Sequence, residues 1–302
     1  MIEAARHALE AALGSCIEFD ANLSRHTSLR IGGPADALAT PERCEDLVGL
    51  MKLCAEYDLP HTVLGAGFNT LILDGGIEGV VIRTNAMRSI AREPEGIRSE
   101  TGISHNSITK YCIEHGLAGL EFGAGIPGTV GGWIAMNAGI ADREAKDVVR
   151  EVVWVEPAGT VRRASRDELA FRYRALEGLA PGSVIVAALL AVTPSKPRSV
   201  QAEVDRMLAH RRDTQPLDVP SCGSVFKNPG GDFAGRLIEA AGLKGAREGA
   251  AEVSHKHANF IANRGEAKAA DVLALIERIQ ETVARESGVH LEPEVKIVGR
   301  PS

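Results

Sequence analysis

The segment Pro220-Ser-Cys-Gly-Ser-Val-Phe-Lys-Asn-Pro229 sets Ser224 between a glycine and an apolar pair. A hydroxyl held there can serve as a proton donor, although the pattern alone favours a structural turn; it is not the G-x-S-x-G elbow of hydrolases. Arg172-Tyr-Arg174 places two cations beside an aromatic ring, and Arg174 is either a carboxylate holder or a solvated surface charge. Glu292-Pro-Glu294 carries two acids in an extended segment that its proline keeps out of the centre of a sheet, so Glu294 is an edge residue or a site residue. His255-Lys-His257 has no third ligand at metal spacing, and no metal is expected.

Glycine is the second chemical signal. The chain has 32 glycines in 302 residues, and eight of them fall in the 24 residues from Gly116 to Gly139. Gly123-Ala-Gly-Ile-Pro-Gly128 fits G-x-G-x-x-G. Pro127 inside the motif and Gly131-Gly132 after it disfavour the uninterrupted helix that a dinucleotide fold needs there. Gly65-Ala-Gly-Phe-Asn-Thr70 is a shorter loop between two strand-like runs. Such loops aim backbone N–H groups at phosphates, because glycine adopts positive φ and adds no bulk. Two of them suit one extended ligand with a pyrophosphate; tight turns without a ligand are the alternative.

The elements that must carry these residues are short and mixed. Residues 2–13, 42–57, 104–115, 199–212, 232–241 and 269–287 read as helices, with Gly14, Gly116, Gly242 and Gly288 as stops and Ser199 as an N-cap. Residues 62–64, 71–73, 79–83, 148–155, 184–192, 252–263, 289–291 and 295–298 read as strands, and 214–231 as a Pro/Gly loop. Helices and strands alternate without a βαβ rhythm, which predicts an α+β fold. Thr193-Pro-Ser-Lys-Pro197 marks a domain boundary. The net charge of −6 and the absence of a long basic run argue against nucleic acid as the main partner. The longest apolar run, Val184–Val192, is far short of the roughly 20 residues of a membrane span. The N-terminus has no signal-peptide pattern, and five cysteines without C-x-x-C read as reduced thiols.

Ten segments, in order, carry a resemblance. They are His26-Thr-Ser-Leu-Arg-Ile-Gly-Gly-Pro-Ala-Asp36, Val63–Asn69, Asp74–Ile82, Gly125–Gly132 and Met136–Gly139, then Tyr173-Arg174, Gln215-Pro-Leu217, Cys222–Pro229, Lys256–Ile261 and Leu291–Ile297. The chain is similar to UDP-N-acetylenolpyruvoylglucosamine reductases, in the shorter subtype without a substrate-covering insertion. The resemblance implies a two-part FAD-binding domain of the vanillyl-alcohol-oxidase (PCMH) type, at 1–85 and 86–195, followed by a smaller α+β substrate domain at 196–302. It implies non-covalent FAD, held by Gly65, Ala66, Gly67, Phe68, Asn69 and Thr70, by Gly125, Ile126, Pro127, Gly128, Thr129, Gly131 and Gly132, and by Asn137, Ala138 and Gly139. NADPH is the implied reductant and a UDP-sugar nucleotide the substrate.

By the same resemblance Arg174 and Glu294 sit at the substrate carboxylate and Ser224 gives the proton to C2. Arg211, Gln215, Lys227, Asn228 and His257 are the implied substrate contacts. Glu294 has to be protonated when it faces a carboxylate, since two adjacent carboxylates do not both ionise cheaply. The expected setting is cytoplasmic, with a monomer favoured and the oligomeric state left open. Phe68 stands where the family usually has Ser, Trp133 where it has a small residue, Ile140-Ala141-Asp142 where it has an aromatic-Gly pair, and Ala175-Leu176 where it prefers small polar residues. Another flavin oxidoreductase of the same fold, and a non-catalytic nucleotide-binding module, are the competing readings.

Overall fold

The computed structural model describes residues 1–140 and 142–301. The chain forms two compact units. The first comprises Met1–Phe19, Ala37–Ala66 and Gly79–Arg211; the second comprises Asp20–Asp36, Gly67–Glu78 and the residues from Arg212 onward.

The first unit is built on a five-stranded antiparallel sheet, in the order Val161–Ser165, Val149–Val155, Val184–Leu190, Gly96–Glu100, Ile90–Glu93. The apolar run that begins at Val184 is a strand with six of its seven residues buried. Helix His105–His115 follows the predicted boundaries, because the Ser104 hydroxyl accepts the Ser107 N–H and Gly116 ends the helix at left-handed φ. Helices Glu3–Leu13 and Cys44–Glu56 bury Leu9, Leu13, Leu47, Leu50 and Met51 in a separate cluster of the same unit.

The glycine pair does not prevent a helix at Val130–Ala135. A Cβ on Gly131 would lie 1.9 Å from Thr101 Oγ1, so close approach dictates glycine here. The propensity cost of about 1 kcal/mol per glycine is offset by burial of Val130, Trp133 and Ile134.

The second unit carries a four-stranded antiparallel sheet, in the order Ser221–Ser224, Phe260–Asn263, Ala251–Val253, Arg247–Glu248. The stretch predicted as one strand over 252–263 is therefore two strands with a reversal between them. Helix Ala269–Ser287 lays Val272, Leu275, Ile276, Ile279 and Val283 into the core of this unit and stops at Gly288, as its periodicity predicts.

Three expectations differ from what is found. The helix read as 199–212 runs from Pro197 to Thr214, with Ser199 inside it. A proline is pre-shaped for a first helical turn, which displaces the N-cap. A strand, Ser221–Ser224, lies in the segment read as loop. Lys296–Val298 pairs in parallel with Thr70–Ile72, and residues 289–291 form no strand. That pairing ties 67–78 to the C-terminal residues. Asp74 adds to it by accepting the Ala269 and Ala270 N–H groups at the start of the long helix. Chain-order division at 85 and 195 separates these partners.

Cys54, Cys112 and Cys222 are buried, and burial pushes their thiols up to about 11, 12 and 12. Among the described residues no helix is long and apolar enough to cross a membrane, and no cluster of ligands could hold a metal.

Candidate active site

In the first unit, the strand His61–Leu64 delivers Gly65 beside Thr129, such that a Cβ on Gly65 would lie 3.0 Å from Thr129 Oγ1. That hydroxyl is buried and has no hydrogen-bond partner in the protein. Val130 and Gly131 use their N–H groups on Ile103 and Thr101 carbonyls, which pins the loop from one side. Gly128, at φ +104, turns it. An unsatisfied hydroxyl facing a glycine edge is the donor that a phosphate of a dinucleotide cofactor requires, so the residues present fit FAD at this place.

Asn137 is wholly buried at φ +40, and its side chain is committed to protein. Nδ2 donates to Glu144 Oε2 at 3.0 Å and to the Arg172 carbonyl at 2.9 Å, while Oδ1 accepts the Lys146 N–H at 3.0 Å. The bond to Arg172 anchors a hairpin, Ala170–Arg172 with Ala175–Glu177, whose two turn residues are Tyr173 and Arg174. Arg174 has φ +58 in a position that glycine or asparagine normally takes. Its guanidinium carbon lies 4.8 Å from the Tyr173 ring centroid.

His105 and Trp133 belong to the same unit. Their rings meet edge to face at 4.7 Å, and neither His105 Nε2 nor Trp133 Nε1 has a partner. Burial, with the charge of Arg211, pushes His105 down to about 4. Arg211 itself is buried and pushed down to about 10, and its Cδ lies 3.1 Å from where a Cβ on Gly125 would be. The predicted substrate contact Arg211 is thus packed on the glycine loop of the first unit. Ala141 of the departing triplet lies outside the described residues.

The second unit holds Gly67–Thr70, Ser224, Lys227 and Glu294. A Cβ on Gly67 would lie 2.0 Å from the His26 carbonyl, so this loop is glycine by necessity. Asn69, at φ +54, donates its N–H to the Cys222 carbonyl and its Nδ2 to the Glu294 carbonyl at 3.2 Å. Phe68 is 39% exposed, and Thr70 Oγ1 donates to its carbonyl. Ser224 follows Gly223, at φ +86, at the end of its strand, and Glu294 N–H donates to the Val225 carbonyl at 2.7 Å. The sheet register and this cross-link bring Ser224 and Glu294 onto adjoining segments. The Lys227 ammonium is paired with the Glu292 carboxylate.

The other predicted contacts divide. Asn228 Oδ1 accepts the Ala234 N–H and so caps helix Ala234–Ala240. Gln215 lines a cavity of about 340 Å³ with Arg212, Lys256 and Arg264. His257 Nδ1 accepts the Asn259 N–H at 3.2 Å, and burial lowers its pKa. Sequence reasoning did not single out Thr101, His105 or Asn259; only Asn259 lay inside a matched motif.

An antiparallel-sheet unit with a glycine loop and a buried, unbonded hydroxyl suits a cofactor phosphate, and residues 35–165 match the FAD binding domain family, which makes the class an FAD-binding oxidoreductase. Residues 215–298 match the UDP-N-acetylenolpyruvoylglucosamine reductase C-terminal domain. The UDP-N-acetylenolpyruvoylglucosamine reductase of Alkalilimnicola ehrlichii is 48% identical over 92% of this chain and 93% of its own length, and that of Syntrophus aciditrophicus is 44% identical over 96% and 95%. The crystal structure of the Thermus caldophilus enzyme superposes with a TM-score of 0.81 at 34% identity, covering 92% of this chain and 98% of that one. A glucose oxidase variant of Phl p 4 shares the fold at a TM-score of 0.53 and 14% identity, over 74% of this chain and 52% of its own. The chain belongs to the UDP-N-acetylenolpyruvoylglucosamine reductase family. Its fold is the predicted α+β arrangement of a two-part FAD-binding domain and a smaller substrate domain.

Proposed function

We propose that the protein uses NADPH to reduce the enolpyruvyl ether of a UDP-amino sugar, in the synthesis of peptidoglycan precursors. The observation that carries this reading is the bond from the Glu294 N–H to the Val225 carbonyl, which sets Glu294 beside the segment that carries Ser224. When bound, FAD would accept two electrons from NADPH and return them as hydride to C3 of the enol ether. Charge then builds towards C2 and the carboxylate, and a fixed cation there stabilises the transition state more than the ground state.

Arg174 supplies that cation. Glu294, protonated, hydrogen-bonds the same carboxylate without repelling it. Ser224 Oγ–H gives its proton to C2, which completes a saturated ether with one hydride and one proton added. A serine hydroxyl is a poor acid, so its position on a fixed strand end has to make up for its pKa. Lys227, three residues on, stabilises the alkoxide that remains. Gln215, His257 and the cations beside Gln215 suit the diphosphate and sugar of the nucleotide. The same reading makes the protein a cytoplasmic monomer. NADPH oxidation measured with and without the enolpyruvyl sugar nucleotide tests it: the expected result is rapid, stoichiometric oxidation only with that substrate. Equal rates in both arms favour another flavin oxidoreductase of this fold, and no oxidation by FAD-loaded protein leaves a binding module.

A further inference from the structure

The strand that carries Ser224 departs from its neighbour just where chemistry is needed. Ser221 pairs with Ala262 and Ser224 with Phe260, so three steps on one strand face two on the other, and Gly223 takes the extra turn. A ladder interrupted this way leaves the next peptides without regular partners. Asn259 provides them. Its carbonyl accepts the Val225 N–H at 2.9 Å. Its side chain then brackets the following residue: Oδ1 accepts the Phe226 N–H at 2.9 Å, and Nδ2 donates to the Phe226 carbonyl at 2.8 Å. The amide thus imitates a strand backbone one residue beyond the end of the ladder.

Both residues are almost inaccessible, Asn259 at 4% and Phe226 at 1%. From the other side, the Val225 carbonyl accepts the Glu294 and Val295 N–H groups at 2.7 and 3.2 Å. The Val225–Phe226 peptides are therefore gripped between Asn259 and Glu294. The Asn259 N–H also donates to His257 Nδ1. That bond leaves the proton of a neutral His257 on Nε2, as a donor. Among side chains, only asparagine offers a donor and an acceptor side by side at this reach. Aspartate lacks the donor when ionised, and an apolar isostere leaves two buried backbone groups unpaired.

We propose that Asn259 is a positioning residue for proton delivery: its side chain fixes the Ser224–Lys227 segment against Glu294. The proposal rests on the role of Ser224 given above. It is tested on the FAD-loaded protein by following the two half-reactions separately in a stopped-flow spectrophotometer.

In Asn259→Asp, flavin reduction by NADPH is expected to stay at the wild-type rate. Reoxidation by the enolpyruvyl sugar nucleotide is expected to fall about a hundredfold at alkaline pH, the penalty of a misplacement near 1 Å. As the pH is lowered, the new carboxyl group protonates and regains its donor, so reoxidation recovers towards wild type. Asn259→Ser keeps the backbone bond, is smaller, and has no titrating group; it is expected to lose reoxidation without recovery. Wild-type reoxidation in both variants overturns the proposal, as does an equal fall of both half-reactions. Wild-type protein whose reduced flavin ignores the enolpyruvyl substrate overturns the functional reading and this proposal with it.

Discussion

The two units treat their buried polar atoms in opposite ways. Among the described residues, Asn85, His105, Thr129, Trp133, Trp154 and Ser183 each bury a side-chain nitrogen or oxygen with no hydrogen bond, and all six lie in the first unit. The buried polar side chains of the second unit are bonded. Glu252 accepts from Arg247 and Arg264, Ser254 from the Lys256 N–H, Asn259 brackets Phe226, and Asn263 reaches the Leu29 carbonyl. Each unsatisfied group costs about 1–3 kcal/mol, so such groups are not maintained for stability. Thr129 Oγ1, at the glycine loop, is the one of these whose place suits a resident ligand. The second unit is bonded within itself, and in the proposed reaction its Ser224 and Glu294 meet a visiting substrate. Asn137 is the informative exception: it is fully bonded inside the first unit, and what it anchors is the hairpin that carries Arg174.

The largest expected effect tests whether the second unit performs only the second half-reaction. Ser224→Ala is expected to leave flavin reduction by NADPH unchanged and to slow reoxidation by about 10²–10⁴-fold, the usual contribution of a positioned proton donor. Equal loss of both halves removes the division of labour. Glu252→Ala tests the closed network of the same unit. Burial alone would raise the pKa of this carboxyl, yet Arg264 and Arg247 hold it below the ordinary value, so it is ionised and paired. Removing it takes away hydrogen bonds to two partly exposed arginines, and about 1.5–3 kcal/mol of stability is expected to disappear in urea unfolding. A change below about 1 kcal/mol would place this pairing with ordinary surface bridges.

The same contrast explains what the sequence could reveal. Helix 269–287 and the apolar strand at Val184 were legible because their periodicity and end signals are local. The proposed roles of Ser224, Arg174 and Glu294 were legible only through ten motifs in order, since a serine, an arginine and an acid are individually common. What stayed hidden was non-local. No pattern shows that Thr70–Ile72 pairs with Lys296–Val298, or that Asp74 receives the helix starting at Ala269. The Gly131-Gly132 helix was hidden for the same reason, because the contact that requires glycine is with Thr101, thirty residues away. Asn259 looks like any asparagine in a loop until the Phe226 peptide is in place.

His105 gives a pH signature to the first unit. Its unfolded value of 6.5 drops to about 4 in the fold, so the folded state refuses a proton that the unfolded chain accepts. The contribution to stability is whole above 6.5, declines as the pH falls from 6.5 towards 4, and reaches about 3 kcal/mol of loss below that. Thermal unfolding of the FAD-free protein across this range is expected to follow that slope, and His105→Phe, which keeps a ring against Trp133, is expected to flatten it. A wild-type slope that survives the substitution assigns the acid sensitivity to other groups.

The smallest effect is the most discriminating. Thr129→Val removes one hydroxyl and nearly nothing else, since the two side chains have the same outline. If the buried hydroxyl is an open valence kept for a phosphate oxygen, the substitution has opposite consequences with and without the cofactor. FAD-free protein is relieved of an unsatisfied group and is expected to melt at the same temperature or slightly higher. FAD binding loses one hydrogen bond to a charged acceptor, worth about 1.5–3 kcal/mol, and is expected to weaken by at least about tenfold in a fluorescence titration. A matching substitution in the second unit, Ser254→Ala, removes a hydroxyl that already accepts the Lys256 N–H, and is expected to lower stability while leaving FAD affinity unchanged. Should Thr129→Val lower the stability of FAD-free protein and spare FAD affinity, its hydroxyl belongs with the closed network, and the contrast between the units has to be redrawn around His105 and Trp133.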